Sequence, residues 1–465
     1  MNKARFLLDL PLALDRSDPV PLARQLADRI RAAIQQGILL DGTRLPSSRA
    51  LAADIGVSRG VVTATYEQLA SGGFLLQLPR STPRVHSPRT ASPAEPPDPP
   101  KPLHDFTAIA PDLGLFPRRE WLRALQDVVR SAPDSVLDYS SGEGLPALRH
   151  ELAAYLGRVR GVHAQPSQVV ITQGFTQGLA VITRVLMRRG VTSIAVENPY
   201  DPEFIRTAKR SGLDLAPLPV DGRGAAVGQL GATRAGAALL TPAHQFPMGS
   251  VLDGQRRREA LQWASGTGAV IIEDDYSAEY RYDRTPVAAL QGLGPDHVIY
   301  AGSTSKTLAP GLRLGWLVVP PAWLPEIRQE KWEQDSGSPG LDQLAFARFL
   351  AAGALDEHLR RTRRTYARRR HRFIGQIQHH LPQVSVVGAS AGLHLTVLLR
   401  QEVDMPAFLN AAAAAGIHVN DLSSYAFAPH QHGQGIVLGY SRIREASAAA
   451  ALGRLATLLD EHRLH

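Results

Sequence analysis

The sequence contains no cysteine, and this absence excludes several kinds of chemistry. Disulfide bonds, thiolate zinc sites, iron–sulfur clusters and a cysteine nucleophile are all impossible. Lysine is also scarce, because only five of the 51 basic residues are lysines, at positions 3, 101, 209, 306 and 331. Arginine is therefore the usual cation of this chain, and a lysine in an unusual setting is more informative than it would be elsewhere.

Long apolar runs are absent too. No stretch reaches the roughly 18 apolar residues that a membrane-spanning helix needs, and the first 18 residues lack the cleavage site of a secretory signal. We therefore expect a cytoplasmic protein that makes no membrane contact. The length of 465 residues favours two or three domains, and a composition of 44% hydrophobic and 20% charged residues is typical of a globular protein.

Proline marks one clear boundary in the chain. Nine of the 24 residues from Pro79 to Pro102 are prolines and few are apolar, which predicts an extended, semi-rigid linker. We assign residues 1–78 to a small N-terminal domain, 79–104 to the linker, with some residues of the small domain continuing to about 85, and 105–465 to one large α/β domain.

The small domain has the helix order of a helix-turn-helix. Apolar residues recur every four positions from Leu22 to Ile34 and predict an amphipathic helix that ends at Gly37. A short helix around residues 51–55, a Gly-Val-Ser turn and a second helix capped by Ser58 follow.

In this geometry the second helix presents its N-terminal residues to base edges in the major groove, while the preceding helix and its flanks meet phosphates. The residues expected to contact DNA are the cations and hydroxyls at those places, namely Arg44, Ser48, Arg49, Ser58, Arg59 and Thr63. Residues 1–85 hold 11 Lys+Arg and 7 Asp+Glu, so +4 of the chain's net charge of +8 lies in under a fifth of its length. This charge favours double-stranded DNA as a partner, and the alternative is a plain three-helix bundle with solvated arginines.

The segment from Pro21 to Leu75 resembles the GntR-type winged helix-turn-helix, including its Leu-Pro-Ser-Ser-Arg entry and its Gly-Val-Ser-Arg turn. The resemblance implies DNA binding and a wing that follows the second helix. Such wings usually have a glycine-rich tip, whereas residues 78–84 read Leu-Pro-Arg-Ser-Thr-Pro-Arg. This departure argues against a minor-groove contact and leaves Arg80 and Arg84 to meet phosphate.

Strand-like apolar segments alternate with helical ones from Asp105 onward and predict a mainly parallel sheet. The segments are 168–174, 193–199, 237–243, 269–275, 297–303 and 313–319. Ligand chemistry in such sheets gathers at the C-terminal ends of the strands, and glycine or polar residues are found at those ends here.

Lys306 directly follows one of these strands. It lies in the segment Gly-Ser-Thr-Ser-Lys-Thr, and Arg313 comes seven residues later. This pattern suits an aldehyde cofactor that carries a phosphate, because the amine can form a Schiff base while Ser303, Ser305 and Arg313 bind the phosphate oxygens. Taken alone, such a segment is more typical of a surface loop.

Asp274 changes that balance, since it ends the strand segment 269–275, where a carboxylate can pair with a protonated pyridine nitrogen. Tyr276 is placed to donate to the phenolic oxygen of the same ring. Residues 172–177 follow another strand and lead into a helix whose first amides would form an anion site. A metal cluster or a helix-capping turn is the alternative for the acidic pair, but no histidine at metal-ligand spacing lies nearby, and we expect no metal.

Together these elements resemble the aminotransferase class I group, the fold-type I pyridoxal-phosphate proteins, over roughly residues 105–460. A GntR-type head, a proline-rich linker and such a body in one chain resemble the MocR family of transcriptional regulators. The resemblance implies an α/β architecture, with a winged helix-turn-helix, a large domain with a mainly parallel central sheet, and a smaller C-terminal α/β subdomain. It also implies pyridoxal 5′-phosphate as cofactor and a head-to-tail homodimer.

The resemblance also implies a role for each residue that matches a family motif. Lys306 would be the catalytic lysine that attaches the cofactor, Asp274 would pair with the pyridine nitrogen, and Tyr200 would stack on the ring. On the O3′ side the implied contacts are Tyr276, His244 and Gln245. The implied phosphate contacts are Gly174, Phe175, Ser303, Ser305 and Arg313, and Tyr139 would reach across the dimer to the partner's phosphate.

Two positions depart from the relatives that handle amino acids. The strand at 435–440 has no arginine to grip a substrate carboxylate, although Arg442 or Arg444 is a candidate to replace it, and Met248 stands where a small hydroxyl residue is usual. We therefore favour a regulator that senses pyridoxal phosphate itself, and hypothesise control of vitamin B6 synthesis; an amino-acid or amine effector is a further option. The alternative is an active aminotransferase with an accessory DNA-binding head.

Eight arginines lie between positions 360 and 372. Such a run usually forms the solvated face of a helix, and a second contact with the DNA backbone is the alternative. The pairs His379-His380 and His430-x-His432 are expected at the surface rather than on a metal.

Overall fold

A computed structural model describes residues 14–76, 81–86, 102–107, 109–283, 287–388, 390–427 and 433–464. The chain divides into two compact units, one within residues 1–100 and the other within residues 101–465. We call them the head and the body. Most of the predicted linker, Arg80, and the pair His430 and His432 lie outside the described residues.

The described part of the head consists of helices α1 (Leu22–Gln35), α2 (Ser48–Asp54) and α3 (Arg59–Ser71) and the antiparallel strands β1 (Leu75–Leu76) and β2 (Arg84–Val85). Helix α1 buries Leu26 and Ile30 against Tyr66 of α3, and Val85 of β2 belongs to the same core. The hydroxyl of Ser58 caps α3 by accepting a hydrogen bond from the amide of Val61 over 3.4 Å, as the sequence predicts.

The helices of the body are α4 (Arg118–Ser131), α5 (Pro146–Arg160), α6 (Phe175–Arg188), α7 (Pro202–Arg210), α8 (Gly254–Thr267), α9 (Leu324–Asp335), α10 (Gly340–Ala351), α11 (Ala354–His380), α12 (Met405–Ala414) and α13 (Glu445–Glu461). Its strands are β3 (His104–Asp105), β4 (Val169–Thr172), β5 (Ser193–Asn198), β6 (Asp214–Asp221), β7 (Gly224–Ala225), β8 (Ala237–Leu240), β9 (Val270–Asp274), β10 (Val298–Ser303), β11 (Gly315–Val318), β12 (Ser385–Val387), β13 (His394–Leu398), β14 (Ile417–His418), β15 (Asn420–Asp421) and β16 (Gly435–Gly439).

The large sheet of the body has the strand order β4-β11-β10-β9-β8-β5-β6-β7. Strands β6, β5, β8, β9 and β10 run parallel to their neighbours in that order, whereas β11 is antiparallel to both β10 and β4. The mainly parallel sheet is therefore confirmed. Strand β6 was not predicted, because Pro217 and Pro219 interrupt its pattern; an edge tolerates them, since β6 pairs with β5 along its length but with β7 only at Val220 and Asp221.

Both faces of the large sheet are covered by helices, which is why its strands are apolar throughout. Ile272 shares a buried cluster with Leu179 and Ile182 of α6. Ile271, one position earlier, points to the other face and shares a cluster with Ala260 of α8. This double cover leaves the ends of the strands as the place where a ligand can enter.

A second, antiparallel sheet with the order β12-β13-β16-β15 forms the C-terminal part of the body. Strand β3 pairs in parallel with β14, so the chain already belongs to the body at His104. Helix α11 buries Leu359, Thr362, Tyr366 and Phe373. No helix among the described residues is long and apolar enough to cross a lipid bilayer.

A buried ion pair ties α5 to the end of β9. Arg160 Nε donates to Asp275 Oδ2 over 2.7 Å, and the hydroxyl of Tyr300 donates to the same oxygen over 2.8 Å. Both partners of the ion pair are almost fully buried.

Arg160→Met is expected to lower the free energy of unfolding of the body by roughly 3–5 kcal/mol, because it leaves the buried Asp275 carboxylate without its charged partner. Urea unfolding followed by tryptophan fluorescence measures this, since all five tryptophans lie in the body. The control is Arg158→Met, which removes an ion pair with Asp356 whose arginine is largely exposed and should cost less than about 1 kcal/mol. Equal losses in the two variants would contradict the assignment.

Candidate cofactor site and DNA-binding surface

A cavity of about 380 Å³ opens at the C-terminal ends of β5, β9 and β10. Strand β9 brings Asp274 to it, β10 brings Ser303, and the segment after β5 brings Tyr200 and Asp201. The residues that line the cavity are Thr107, Ile109, Phe175, Thr176, Tyr200, Asp201, Phe204, Phe246, Asp274, Tyr276, Gly302, Ser303, Ser305, Lys306, Pro310, Arg313 and Tyr425. Eight of the predicted cofactor residues are thus brought together: Phe175, Tyr200, Asp274, Tyr276, Ser303, Ser305, Lys306 and Arg313.

One end of the cavity has the donor set of an anion site. Gly174 precedes α6 with φ +94°, and a side chain there would place its Cβ 3.4 Å from the guanidinium nitrogens of Arg313. The close approach of glycine backbone, arginine and the N-terminus of α6 leaves amide and guanidinium donors side by side, as an oxyanion requires. Ser303 and Ser305 line the same cavity, and the amide of Ser305 lies 3.4 Å from the hydroxyl of Ser303.

Lys306 is held in a defined position. Its Nζ donates to the backbone carbonyl of Ile109 over 2.5 Å. Burial lowers the pKa of Lys306, and the carboxylates of Asp201 and Asp274 oppose that decrease. A lysine with a lowered pKa has more of the neutral amine that attacks a carbonyl carbon.

Asp274 is buried and accepts a hydrogen bond at Oδ2 from the hydroxyl of Tyr200 over 2.7 Å. Burial raises the pKa of Asp274 to about 8, the hydrogen bond from Tyr200 opposes this rise, and the carboxylates of Asp275 and Asp201 add to it. A positive partner in the cavity would favour the ionised form. In the structure the hydroxyl of Tyr200 contacts Asp274. The stacking of the Tyr200 ring on a ligand ring stays a prediction.

Tyr276 lines the cavity, but the two residues predicted beside it do not. His244 lies behind Tyr276, with its Nδ1 2.8 Å from the tyrosine hydroxyl. Burial, together with the charges of His394 and Arg281, lowers the pKa of His244 to about 3. The ring is therefore neutral, and its contact with Tyr276 is a hydrogen bond to the tyrosine hydroxyl. Gln245 is buried and directs its amide to the carbonyl of Pro199 over 2.7 Å.

Tyr139 is also absent from the cavity lining, and its side chain is 83% exposed. It lies just before Gly142, which packs closely on Trp332 of α9. The predicted contact of Tyr139 with a partner's phosphate remains a prediction.

The two positions that depart from the relatives, at strand β16 and at Met248, belong to one apolar cluster. Val437 of β16 is buried in a cluster with Phe246 and Tyr425, and Met248 packs against that cluster. Arg442 donates through Nε to the carbonyl of Pro111 over 3.0 Å, and its charge lowers the pKa of Lys306. The cations that line the cavity are Lys306 and Arg313.

Several residues of the cavity were missed from the sequence because they come from distant segments that carry no motif. Ile109 supplies the carbonyl for Lys306, and the carbonyl of Tyr425 accepts a hydrogen bond from the amide of Tyr200 over 2.9 Å. Asp201 had a usable signal, since it directly follows Tyr200 in the segment Asn-Pro-Tyr-Asp.

In the head, the predicted DNA contacts gather at the adjoining N-termini of α2 and α3. Arg59 Nε lies 3.4 Å from the hydroxyl of Ser48, which links the two helices. Arg44, Arg49 and Arg59 are exposed. Ser58 is engaged as a cap, as described above, and the hydroxyl of Thr63 donates to the carbonyl of Arg59 over 3.0 Å.

The wing is described only in part. Arg84 lies in β2 and pairs with Leu76 across the ribbon, and it also forms an isolated backbone bridge with Arg44. Residues 77–80, with the predicted contact Arg80, lie outside the described part.

The fold and the cavity define the class of the body, and comparison with known proteins agrees. Residues 110–434 match the family model of aminotransferase class I and II, and residues 22–85 match that of the gntR family of bacterial regulatory proteins. An archaeal alanine:glyoxylate aminotransferase has a similar structure, with a TM-score of 0.71 and 26% identity over 77% of this chain and 91% of its own. The chain thus combines a GntR-type head with an aminotransferase-like body.

Two curated relatives share both parts. The HTH-type pyridoxine biosynthesis transcriptional regulator PdxR of Corynebacterium glutamicum is 31% identical over 96% of this chain and 100% of its own length. The probable rhizopine catabolism regulatory protein MocR of Rhizobium meliloti is 32% identical over 93% of this chain and 92% of its own. The chain belongs to the MocR family of transcriptional regulators.

The raised pKa of Asp274 predicts how the stability of the ligand-free protein changes with pH. The unfolded chain ionises near the ordinary value of 3.8 and the folded chain near 8, so unfolding releases a proton in between. The free energy of unfolding should therefore fall as the pH rises from about 4 to about 8, by at most about 1.4 kcal/mol per pH unit from this group. Asp274→Asn should make this fall less steep, as measured by urea unfolding at several pH values.

Glu197 and Glu273 have pKa values raised by burial to about 7 and contribute a slope of the same sign, which the substitution leaves in place. The matched control is Tyr200→Phe, which removes the hydrogen bond but keeps the carboxyl, and so should keep the parent's slope. An Asp274→Asn variant with the parent's slope would show that this carboxyl is not the titrating group.

Proposed function

We propose that the protein binds DNA through its head, binds pyridoxal 5′-phosphate in the cavity of its body, and changes its DNA binding when the cavity is occupied. The observation that carries this proposal is the meeting of Lys306, Asp274 and the Arg313 anion site in one cavity. Coupling requires that the ligand have different affinities for the body in two states with different DNA affinity.

The residues present fit this cofactor. Arg313, the serines and the first amides of α6 would hold the phosphate, Asp274 would pair with the protonated ring nitrogen, and Tyr276, which His244 contacts, would donate to the phenolic oxygen. When bound, pyridoxal phosphate supplies an aldehyde that a lysine amine can attack and a ring that accepts electrons. The carbonyl of Ile109 orients the amine of Lys306, and burial lowers the pKa of that amine.

The same cavity supports pyridoxal phosphate itself as the effector. Lys306 and Arg313, the cations of its lining, are both assigned to the cofactor, and Val437 is buried in an apolar cluster with the lining residues Phe246 and Tyr425. An amino-acid effector would bring a carboxylate that these residues do not neutralise. With the similarity to a relative named as a pyridoxine biosynthesis regulator, this supports the hypothesis of a role in vitamin B6 synthesis.

A second candidate function is an aminotransferase with an accessory head. It is favoured by the structural similarity to an archaeal alanine:glyoxylate aminotransferase. The absence of arginine from positions 435–438 speaks against it. An amino-acid or amine effector, such as γ-aminobutyrate or taurine, would instead require a contact from Arg442 or Arg444.

We also propose a head-to-tail homodimer that acts on cytoplasmic DNA. Leu122 and Val129 lie seven residues apart on one face of α4 and are 53% and 64% exposed, and Leu137 and Tyr139 nearby in sequence are more exposed still. Exposed apolar side chains at such positions are typical of a protein interface. A dimer would carry two heads, as paired half-sites require.

Titration of the cofactor-free protein with pyridoxal phosphate is expected to produce the visible absorbance band of covalent attachment, and gel-shift affinity for DNA upstream of its own gene should change with it. Lys306→Ala should lose the band and the cofactor effect but keep its fold and its DNA binding. The matched control Lys209→Ala removes an exposed lysine and should behave as the parent. A band that survives in Lys306→Ala would refute the site, and a band without any change in DNA affinity would point to a second ligand or to transamination.

Tyr139→Phe is expected to weaken the apparent affinity for pyridoxal phosphate by about tenfold, through loss of one charge-assisted hydrogen bond across the dimer. Mixing this variant with Lys306→Ala should then restore sites of parental affinity, because the Lys306-containing chain of a mixed dimer receives an intact Tyr139. No recovery, with subunit exchange shown by sedimentation, would contradict the shared site.

Leu122→Glu with Val129→Glu should yield monomers.

A further inference from the structure

Helix α11 carries a row of arginines along its exposed side. Arg360, Arg364 and Arg368 follow one another at intervals of four residues, so they lie on one face of the helix, and all three are exposed. With a rise of 1.5 Å per residue, their backbones span about 12 Å. We call these three residues the arginine row.

Three other arginines of the same helix contact neighbouring parts of the body, which the arginine row does not. Arg363 donates to the carbonyl of Glu279, Arg369 forms an ion pair with Asp112 over 2.9 Å, and Arg370 lies 5.2 Å from the ring centre of Tyr282. These side chains hold the helix to the rest of the body. Among the described residues, the side chains of the row make no hydrogen bond or ion pair.

An unneutralised row of this kind has a cost. Like charges four residues apart destabilise a helix, and acidic residues at the same surface would have removed the repulsion. Arg361, beside the row, acts on Glu120, whose pKa is lowered chiefly by a backbone hydrogen bond and also by Arg119 and Arg361. On the face of the row, Asp356 lies four residues before Arg360, but it forms an ion pair with Arg158. No acidic residue of α11 lies three or four positions from Arg364 or Arg368, so their charge is available to a polyanion.

From this arrangement we infer that the arginine row is a second DNA contact, which binds the phosphate backbone next to the site held by the head. A DNA strand offers one phosphate for about every 3.4 Å of helix axis, so three arginines over about 12 Å match a short run of phosphates. Arginine forms two parallel hydrogen bonds with a phosphate, which suits this role.

DNA binding by the head makes DNA, rather than another polyanion, the expected ligand of the arginine row. Fifteen residues, 87–101, connect the described parts of the two units, and a chain of that length spans at most about 50 Å. A head bound to DNA thus keeps the body close to the duplex, where even a weak phosphate contact forms at a high effective concentration. The inference rests on DNA binding by the head, and the experiment separates the two.

The test measures binding of the full chain to a labelled DNA duplex over a series of salt concentrations. The row variant, Arg360→Gln with Arg364→Gln and Arg368→Gln, should reduce the steepness of log K against log salt by up to about 2.7, since each phosphate contact contributes about 0.9. The control variant, Arg210→Gln with Arg258→Gln and Arg348→Gln, removes three exposed arginines from other helices and should keep the parent's slope.

A third variant, Arg49→Gln with Arg59→Gln, reports on the head alone. If it loses most of the affinity while the row and control variants both match the parent, DNA binding by the head stands and the row is not a DNA contact. A head variant that binds as the parent does would refute the head's role instead. A row variant with parental DNA binding that has lost affinity for phosphatidylserine vesicles would assign the row to membranes and also overturn the inference. Circular dichroism and the cofactor band check that each variant is folded.

Discussion

The burial of two neighbouring carboxylates, Asp274 and Asp275 at the end of β9, is the electrostatic constraint on which the rest of the body depends. Both are buried, and the pKa of Asp274 is raised chiefly by its burial and further by the charge of Asp275. One oxygen of Asp275, Oδ2, accepts hydrogen bonds from Arg160 and Tyr300 within the protein. Asp274 accepts a hydrogen bond from the neutral hydroxyl of Tyr200 and lines the cavity, where a positively charged ligand atom would be its charged partner.

The sheet explains why this pair meets the other groups. Parallel strands with their C-termini at one edge deliver Asp274, Ser303 and the residues after β5 to a common place, and the N-terminus of α6 adds its amides there. Segments outside the sheet then set the details. Ile109 fixes the amine of Lys306, and His244 fixes Tyr276 from behind. Asp274 and Ser303 thus lie at strand ends and Lys306 follows one of them, whereas the positioning of the side chains depends on loops.

The sequence predicts the parts of this site that depend on local order. Strand ends, a helix start and a lysine among hydroxyls can be located from residue spacing, and the cavity lining contains eight of the predicted residues. It does not predict carbonyl partners such as Ile109, because any residue type has a carbonyl and only the fold selects it. The same limit applies to His244 and Gln245, which were expected beside the ligand and are not among the residues that line the cavity.

The strand assignments show a related limit. Pro217 and Pro219 prevented the prediction of β6 from the sequence. A proline disrupts a strand that has two neighbours but is tolerated where the strand has one, and the sequence does not show which applies. The reversed direction of β11 has no local signature at all. Alternation along the chain predicts which segments are strands, and their neighbours decide which way they run.

The near absence of lysine has a consequence for a protein proposed to detect an aldehyde. Any accessible amine captures such a molecule to some extent, so each surplus lysine adds an unspecific reaction that carries no information. Lys331 is buried and paired with Asp335, which leaves Lys209 as the exposed lysine among the described residues to compete with Lys306. Because arginine supplies most of the positive charge, the proposed detector would have few competing amines, and its response would report mainly the occupancy of Lys306.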